Sequence, residues 1–236
     1  MKTLQKVLLA ALCLCFCSVH APAQPQTHYR CTFERGAWNS NDWLLVKSPR
    51  WDHAGTWIQK NDHIENAIPA DATAKELLTS RAPETYTSMV LREKVKGSRL
   101  EIRSTLAFED RMAPLLVMAA GLDKDAQGRP QHGEHWEVIL WDGGITVWHH
   151  IPTGKQPWWH KAAFVRKPFE KGRRYALAVK IHRTGNGPLL TVSVDGQEIL
   201  GYTEDALPRT FYVGITGCEG VNRFYDFSVS TGGKKR

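Results

Sequence analysis

The residues from His135 to His160, HWEVILWDGGITVWHHIPTGKQPWWH, hold five of the nine tryptophans of the chain beside Glu137 and four histidines. Flat indole faces can stack on the C–H faces of a sugar ring, while carboxylate and imidazole groups hold its hydroxyls in one orientation. Glu137, His135 and His150 are the candidate catalytic groups, because a carboxylate and imidazoles titrate where acid–base chemistry needs them. Trp141, Trp148, Trp158, Trp159, His160 and Arg103 are the candidate substrate contacts. The plain alternative is an amphipathic hairpin whose tryptophans only pack.

The element that must position these groups is itself readable. Asp142-Gly143 is a dipeptide in which both residues tolerate positive φ, as a two-residue hairpin turn requires. Counting outward pairs Trp141 with Gly144, Leu140 with Ile145, Ile139 with Thr146, Val138 with Val147, Glu137 with Trp148, Trp136 with His149 and His135 with His150. Alternation then places Trp136, Val138, Leu140, Ile145 and Val147 on a core face, with His149 at its margin. The other face receives His135, Glu137, Trp141, Thr146, Trp148 and His150, and Trp158, Trp159 and His160 follow on an adjoining loop.

The rest of the chain sets the setting. Lys2 and Lys6, an apolar run from Val7 to Cys17 and Ala21-Pro22-Ala23 have the three parts of a secretory signal, with cleavage expected before Gln24. A lipid anchor is disfavoured, since Leu12, Leu14 and Phe16 precede the leader cysteines where a lipoprotein signal wants a small residue. No later stretch approaches the ~20 apolar residues of a membrane span. The expected product is a secreted or periplasmic protein of residues 24–236, one domain after a signal peptide of residues 1–23. Cys31 and Cys218 remain in it and are expected to pair, because disulfides persist in that compartment. Of the 31 basic residues two leave with the leader, so the mature charge against 24 acidic residues is +5. That mild excess argues against nucleic acid and tolerates an acidic polysaccharide.

Short β-branched or alternating runs separated by turn residues recur from Tyr29 to Ser230, the pattern of an all-β sandwich. Only Asp71 to Ser80 is helical in character, with Asp71 as N-cap. Asp195-Gly196 repeats the hairpin chemistry between Leu189–Val194 and Gln197–Leu200, and Gly185-Asn186-Gly187-Pro188 supplies a longer turn before it.

The run LLTVSVDGQEIL, then FYVGITGCEGVNRFYDFSVS, resembles the closing strands of the concanavalin A-like lectin/glucanase (laminin G-like) superfamily. There a strand, an Asp-Gly turn and a strand precede a glycine-led strand and a final F-x-x-F-x-V strand. GTWIQKNDHIENAI and HWEVILWD extend the likeness. The resemblance implies a two-sheet antiparallel jelly-roll sandwich, to which the stretch Asp71 to Ser80 adds one short helical turn, and a glycan met on the concave face or at its rim; the aromatic-rich hairpin is expected on that face. It does not choose among lectin, hydrolase, lyase and adhesion domain, since fold does not carry function.

Carboxylate spacing narrows the chemistry. Glucanases of that superfamily with an E-x-D-x-E strand place acid and nucleophile on one face; here Glu134 and Glu137 stand three apart and point to opposite faces. A second carboxylate would have to come from elsewhere, such as Glu101. A lyase would use His135, His150 or His160 as base and Arg103 or Arg92 against a uronate. No cofactor is expected, with calcium as the open option: Asp123, Asp125 and Glu134 match positions of a calcium loop, although Pro130 and the lack of helices depart from it. Zinc finds no structural-site spacing, and His149 and His150 alternate faces. The leading expectation is a secreted carbohydrate-binding protein. A glycoside hydrolase or polysaccharide lyase using Glu137 is the first alternative, and a structural or adhesion domain the second.

Overall fold

The computed structural model describes residues 26–109, 114–153 and 156–232; the expected leader, residues 1–23, lies outside them. Two antiparallel sheets face each other, as the alternation predicts. In the first, Gln197–Thr203, Gly187–Val194, Tyr175–Thr184 and Arg99–Phe108 lie side by side in that order. Arg99–Phe108 then pairs with Asn222–Phe224, which leads on to Ile64–Asn66 and Trp57–Gln59, and with Asp226–Gly232, which pairs with Gln26–Thr32. The second sheet runs Gln156–Arg166, Gly144–Thr153, His135–Trp141, Leu115–Ala119, Thr210–Gly217, Thr87–Leu91, Trp43–Leu45, with Val95–Lys96 added on Thr210–Gly217.

The meander from Tyr175 to Thr203 follows the expected order. Asp195 and Gly196 both take positive φ, +51° and +82°, the turn that matches strand twist. Gly185-Asn186 is tighter than expected: Thr184 pairs directly with Gly187, leaving a two-residue turn.

The core lies between the sheets. Leu100, Ile102, Leu106 and Phe108 from one side meet Leu116, Met118, Trp136, Val138 and Leu140 from the other, all in one apolar cluster and nearly free of solvent. Each such side chain contributes about 1.5–3 kcal/mol through burial. The expected helical stretch holds one turn, Ala74–Leu77, and a second short helix, Ala82–Thr85, follows beyond it. The N-cap of the first is Thr73: the Thr73 hydroxyl accepts from the Glu76 backbone N–H, and the Glu76 carboxylate accepts from the Thr73 N–H at 2.8 Å. Asp71 instead accepts from the Arg81 guanidinium at 2.9 Å.

The cysteines do not pair. Cys31 lies on the first sheet opposite Phe227, while Cys218 follows Thr210–Gly217 of the second, and both are free thiols. The first strand does lie beside a late one, but its partner is Asp226–Gly232 and carries no cysteine.

Candidate functional site

The hairpin His135–Trp141/Gly144–Thr153 adopts the expected register at every pair from Trp141–Gly144 to His135–His150. Its turn is different in kind. Positive φ falls on Gly144, at +149°, rather than on Asp142 and Gly143. A Cβ on Gly144 would stand 2.1 Å from the Val165 carbonyl oxygen, so glycine is required there by conformation and by contact with the next strand. The Trp141 ring folds over Gly143, and its indole N–H donates to the Thr146 hydroxyl at 3.0 Å.

Trp136, Val138, Leu140, Ile145 and Val147 are fully buried on the inner face. His149 stacks on Trp136 at 4.3 Å and meets Glu134 through Nε2 at 2.8 Å. On the outer face Glu137 stands between two imidazoles. His150 Nε2 is 3.0 Å from Oε2, and His135 Nε2 is 3.8 Å from Oε1. The His135 and His150 rings are parallel at 4.4 Å, and His132 stacks behind His135 at 4.7 Å. His132 Nε2 then meets the Ser88 hydroxyl at 2.9 Å, and Ser88 meets Thr216 at 2.7 Å. Burial alone would favour the neutral acid at Glu137; the surrounding imidazoles of His150, His135 and His132 reverse this and hold the carboxyl well below the usual range. Burial pushes His135 down to about 4, with His150 adding to the effect and Glu137 opposing it. The centre is therefore an ionised carboxylate beside a neutral imidazole at neutral pH.

Above it the outer face is a groove in two parts. The inner part, about 150 Å³, has Glu137, His135 and His150 on its floor and Arg50, Trp51 and Trp159 on its wall. The outer part, about 690 Å³, lies over Trp141 and Trp148, with Lys75, Lys161 and Lys171 around it. Ile139, Trp148 and Glu219 line both, so the two parts adjoin. The cations sit on aromatic faces: Arg50 is 4.4 Å from the Trp51 ring and 4.3 Å from Trp159, and Lys161 is 5.6 Å from Trp148.

Trp141, Trp148 and Trp159 thus join Glu137, His135 and His150, and the remaining expected contacts do not. Trp158 and His160 belong to the strand Gln156–Arg166, not to a loop, opposite Ile151 and His149. Alternation sends them to the other side of the sheet, where their rings meet at 4.8 Å. Arg103 is on the first sheet, exposed and paired with Glu101 at 3.7 Å, so neither can reach Glu137 from the opposite side of the sandwich. Arg92 donates to the Asn41 carbonyl. Two carboxylates of the expected calcium loop, Asp125 and Glu134, have other partners. Asp125 accepts from the backbone N–H and guanidinium of Arg129 at 2.8 and 2.7 Å and lies 3.4 Å from Lys47, while Glu134 is held by His149.

Residues that spacing along the chain did not single out complete the site. Lys47 pairs with Gln131, bringing the segment with Arg50 and Trp51 together with the one carrying His132. Glu219 takes φ +54°, rare for a residue with a side chain, while its N–H donates to the Thr85 hydroxyl at 2.7 Å. Its signal was the glycine-flanked Gly217-Cys218-Glu219-Gly220 at the end of a strand. Lys161 reaches the outer face because a bulge between Val147 and Trp148 shifts the pairing to Trp148–Lys161.

No family model matches the chain, and no curated protein matches it. Solved structures do. The κ-carrageenase of Pseudoalteromonas carrageenovora in complex with an oligosaccharide is similar at a TM-score of 0.58 and 8 % identity, over 91 % of this chain and 98 % of that one. A legume lectin-like domain from Entamoeba histolytica gives 0.54 and 12 %, over 86 % and 97 %. The carbohydrate binding module CBM66 of Bacillus subtilis gives 0.53 and 9 %, over 80 % and 96 %. Identity this low speaks to architecture, and the architecture is the concanavalin A-like jelly roll.

Proposed function

We propose that the protein is secreted or periplasmic and binds an acidic poly- or oligosaccharide along the groove over Trp141, Trp148 and Trp159. The observation that carries this reading is the pairing of indole faces with Lys75, Lys161, Lys171 and Arg50 in two adjoining cavities. Indoles stack on sugar rings of any charge; the cations select those bearing carboxylate or sulfate groups. Similar folds occur in a carbohydrate binding module, a lectin-like domain and a carrageenase, which supports a sugar as the ligand class. The test is titration with an oligouronate and a neutral oligosaccharide of equal length. Tighter binding of the acidic one, weakened by salt and by Lys161→Ala, supports the reading. Equal affinities, unmoved by either change, refute the selection for charge.

A second reading is favoured by the buried Glu137. An ionised carboxylate sealed among imidazoles is costly to hold, and a floor that only stacked sugars would not need it. In this reading the protein cleaves its glycan, with Glu137 as nucleophile or base and His135 or His150 exchanging protons; the depressed Glu137 carboxyl is unsuited to act as general acid. Glu137→Gln separates the two. A binder keeps its affinity, whereas an enzyme loses turnover yet holds the substrate.

A further inference from the structure

His135, Glu137 and His150 are 2 %, 8 % and 6 % exposed, and one donor atom from each lies within 4.8 Å of the others. Among the described residues no other group of three or more histidine, cysteine or acidic side chains meets this spacing. Two details of the geometry go beyond proximity. His135 Nδ1 is 2.7 Å from the Gly133 carbonyl, which can only accept, so the ring proton sits on Nδ1 and Nε2 presents a lone pair. Nε2 is 3.8 Å from Glu137 Oε1, two acceptors opposed. His150 Nε2 is 3.0 Å from Oε2 on the other side of the carboxylate. An imidazole lone pair opposed to a carboxylate oxygen is what a common positive centre between them would resolve.

We propose that His135, Glu137 and His150 bind a divalent transition-metal cation of the zinc type at the floor of the inner cavity. Donors about 2.0–2.1 Å from a tetrahedral zinc stand about 3.3 Å apart; the two imidazole–carboxylate separations are 3.0 and 3.8 Å, and all three donors lie within 4.8 Å of one another. Two imidazoles and one carboxylate are ligands suited to zinc rather than to calcium, which prefers six to eight oxygens. The bond from His135 Nδ1 to a backbone carbonyl is the outer support that a metal-bound imidazole needs to keep its tautomer and orientation. Cys218 lines the same cavity but is not among the side chains whose donor atoms come within 4.8 Å of one another. Three protein ligands leave a coordination position open toward the groove, where an oxygen ligand could enter. The inference does not depend on the identity of the glycan.

The experiment is calorimetric titration of zinc chloride into the protein after stripping with a chelator, with cobalt(II) absorption on the same preparation. The expected result is one tight site per chain. His135→Gln and His150→Gln each weaken it by at least about a hundredfold, beyond the range for loss of an outer-shell partner. His182→Gln, an exposed histidine on the first sheet, leaves it unchanged. On the wild type, which removes any question of variant folding, bound cobalt shows ligand-field bands that move when azide is added at the open position. Absence of a stoichiometric site in the wild type overturns the proposal, as does equal affinity in folded His150→Gln. Unmoved cobalt bands overturn the open position. A glycan panel run separately keeps failure of sugar binding distinct from failure of metal binding.

Discussion

Trp136 and Trp148 belong to adjacent strands of one hairpin, yet their rings point to opposite faces, so truncating each should damage a different property. Trp136 is fully buried between the sheets and stacks on His149 at 4.3 Å. Its replacement by alanine leaves a cavity that the surrounding strands cannot close and should cost about 3–5 kcal/mol. For a chain of this size that corresponds to a fall in the thermal midpoint of roughly 6–20 °C. Trp148 is half-buried over the groove, and Trp148→Ala should cost about 1 kcal/mol of stability at most while weakening glycan binding more than tenfold, about 1.4 kcal/mol. Urea unfolding of both variants, with calorimetric binding on whatever remains folded, reads the two effects independently. A loss of stability in Trp148→Ala equal to that in Trp136→Ala would refute the assignment of faces. So would unchanged binding in Trp148→Ala.

The turn offers a second check: Gly144→Ala should lower the unfolding free energy measured in urea by more than about 1 kcal/mol, since φ is +149° and the new Cβ would meet the Val165 carbonyl. Acid should act through Asp125. Burial would raise its carboxyl, but the N–H and guanidinium of Arg129 more than reverse this and hold it at about 2. A depressed carboxyl contributes stability that is present above the unfolded value of about 3.9 and lost as pH falls through about 2. Unfolding midpoints at pH 5, 3 and 2 should therefore fall less in Asp125→Asn than in the wild type. The thiols give a chemical count: Cys31 and Cys218 should both titrate with a thiol reagent in denaturant without reductant, and react slowly in the folded protein, where burial pushes Cys31 up to about 11.

The hairpin was legible because its signals are local. Alternation has period two and the Asp-Gly turn sets the pairing, so His135 opposite His150 and Glu137 opposite Trp148 follow from counting. The turn conformation was not legible, because what decides it is the closeness of Gly144 to Val165 on the next strand. The histidine–carboxylate centre was half legible. Register alone brings His135, Glu137 and His150 to one face, but short spacings along the chain, which mark closed zinc sites, miss ligands that meet across strands. Arg50, Trp51 and His132 reach the site only through the pairing of Lys47 with Gln131, which nothing local in either segment announces. Arg103 misled because a basic residue on a polar strand face says nothing about which sheet that strand joins. Trp158 and His160 misled because the strand that carries them extends beyond the β-branched run that marked it.

The central claim is that a glycan lies on the outer face of the second sheet, and the most direct measurement is proton NMR of neutral and acidic oligosaccharides mixed with the protein and with Trp148→Ala. The account predicts broadening of acidic oligosaccharide signals by the wild type and its loss in the variant; new anomeric or unsaturated-sugar signals over time would add catalysis to binding. Sharp signals across the whole panel, or broadening that Trp148→Ala leaves intact, would contradict it.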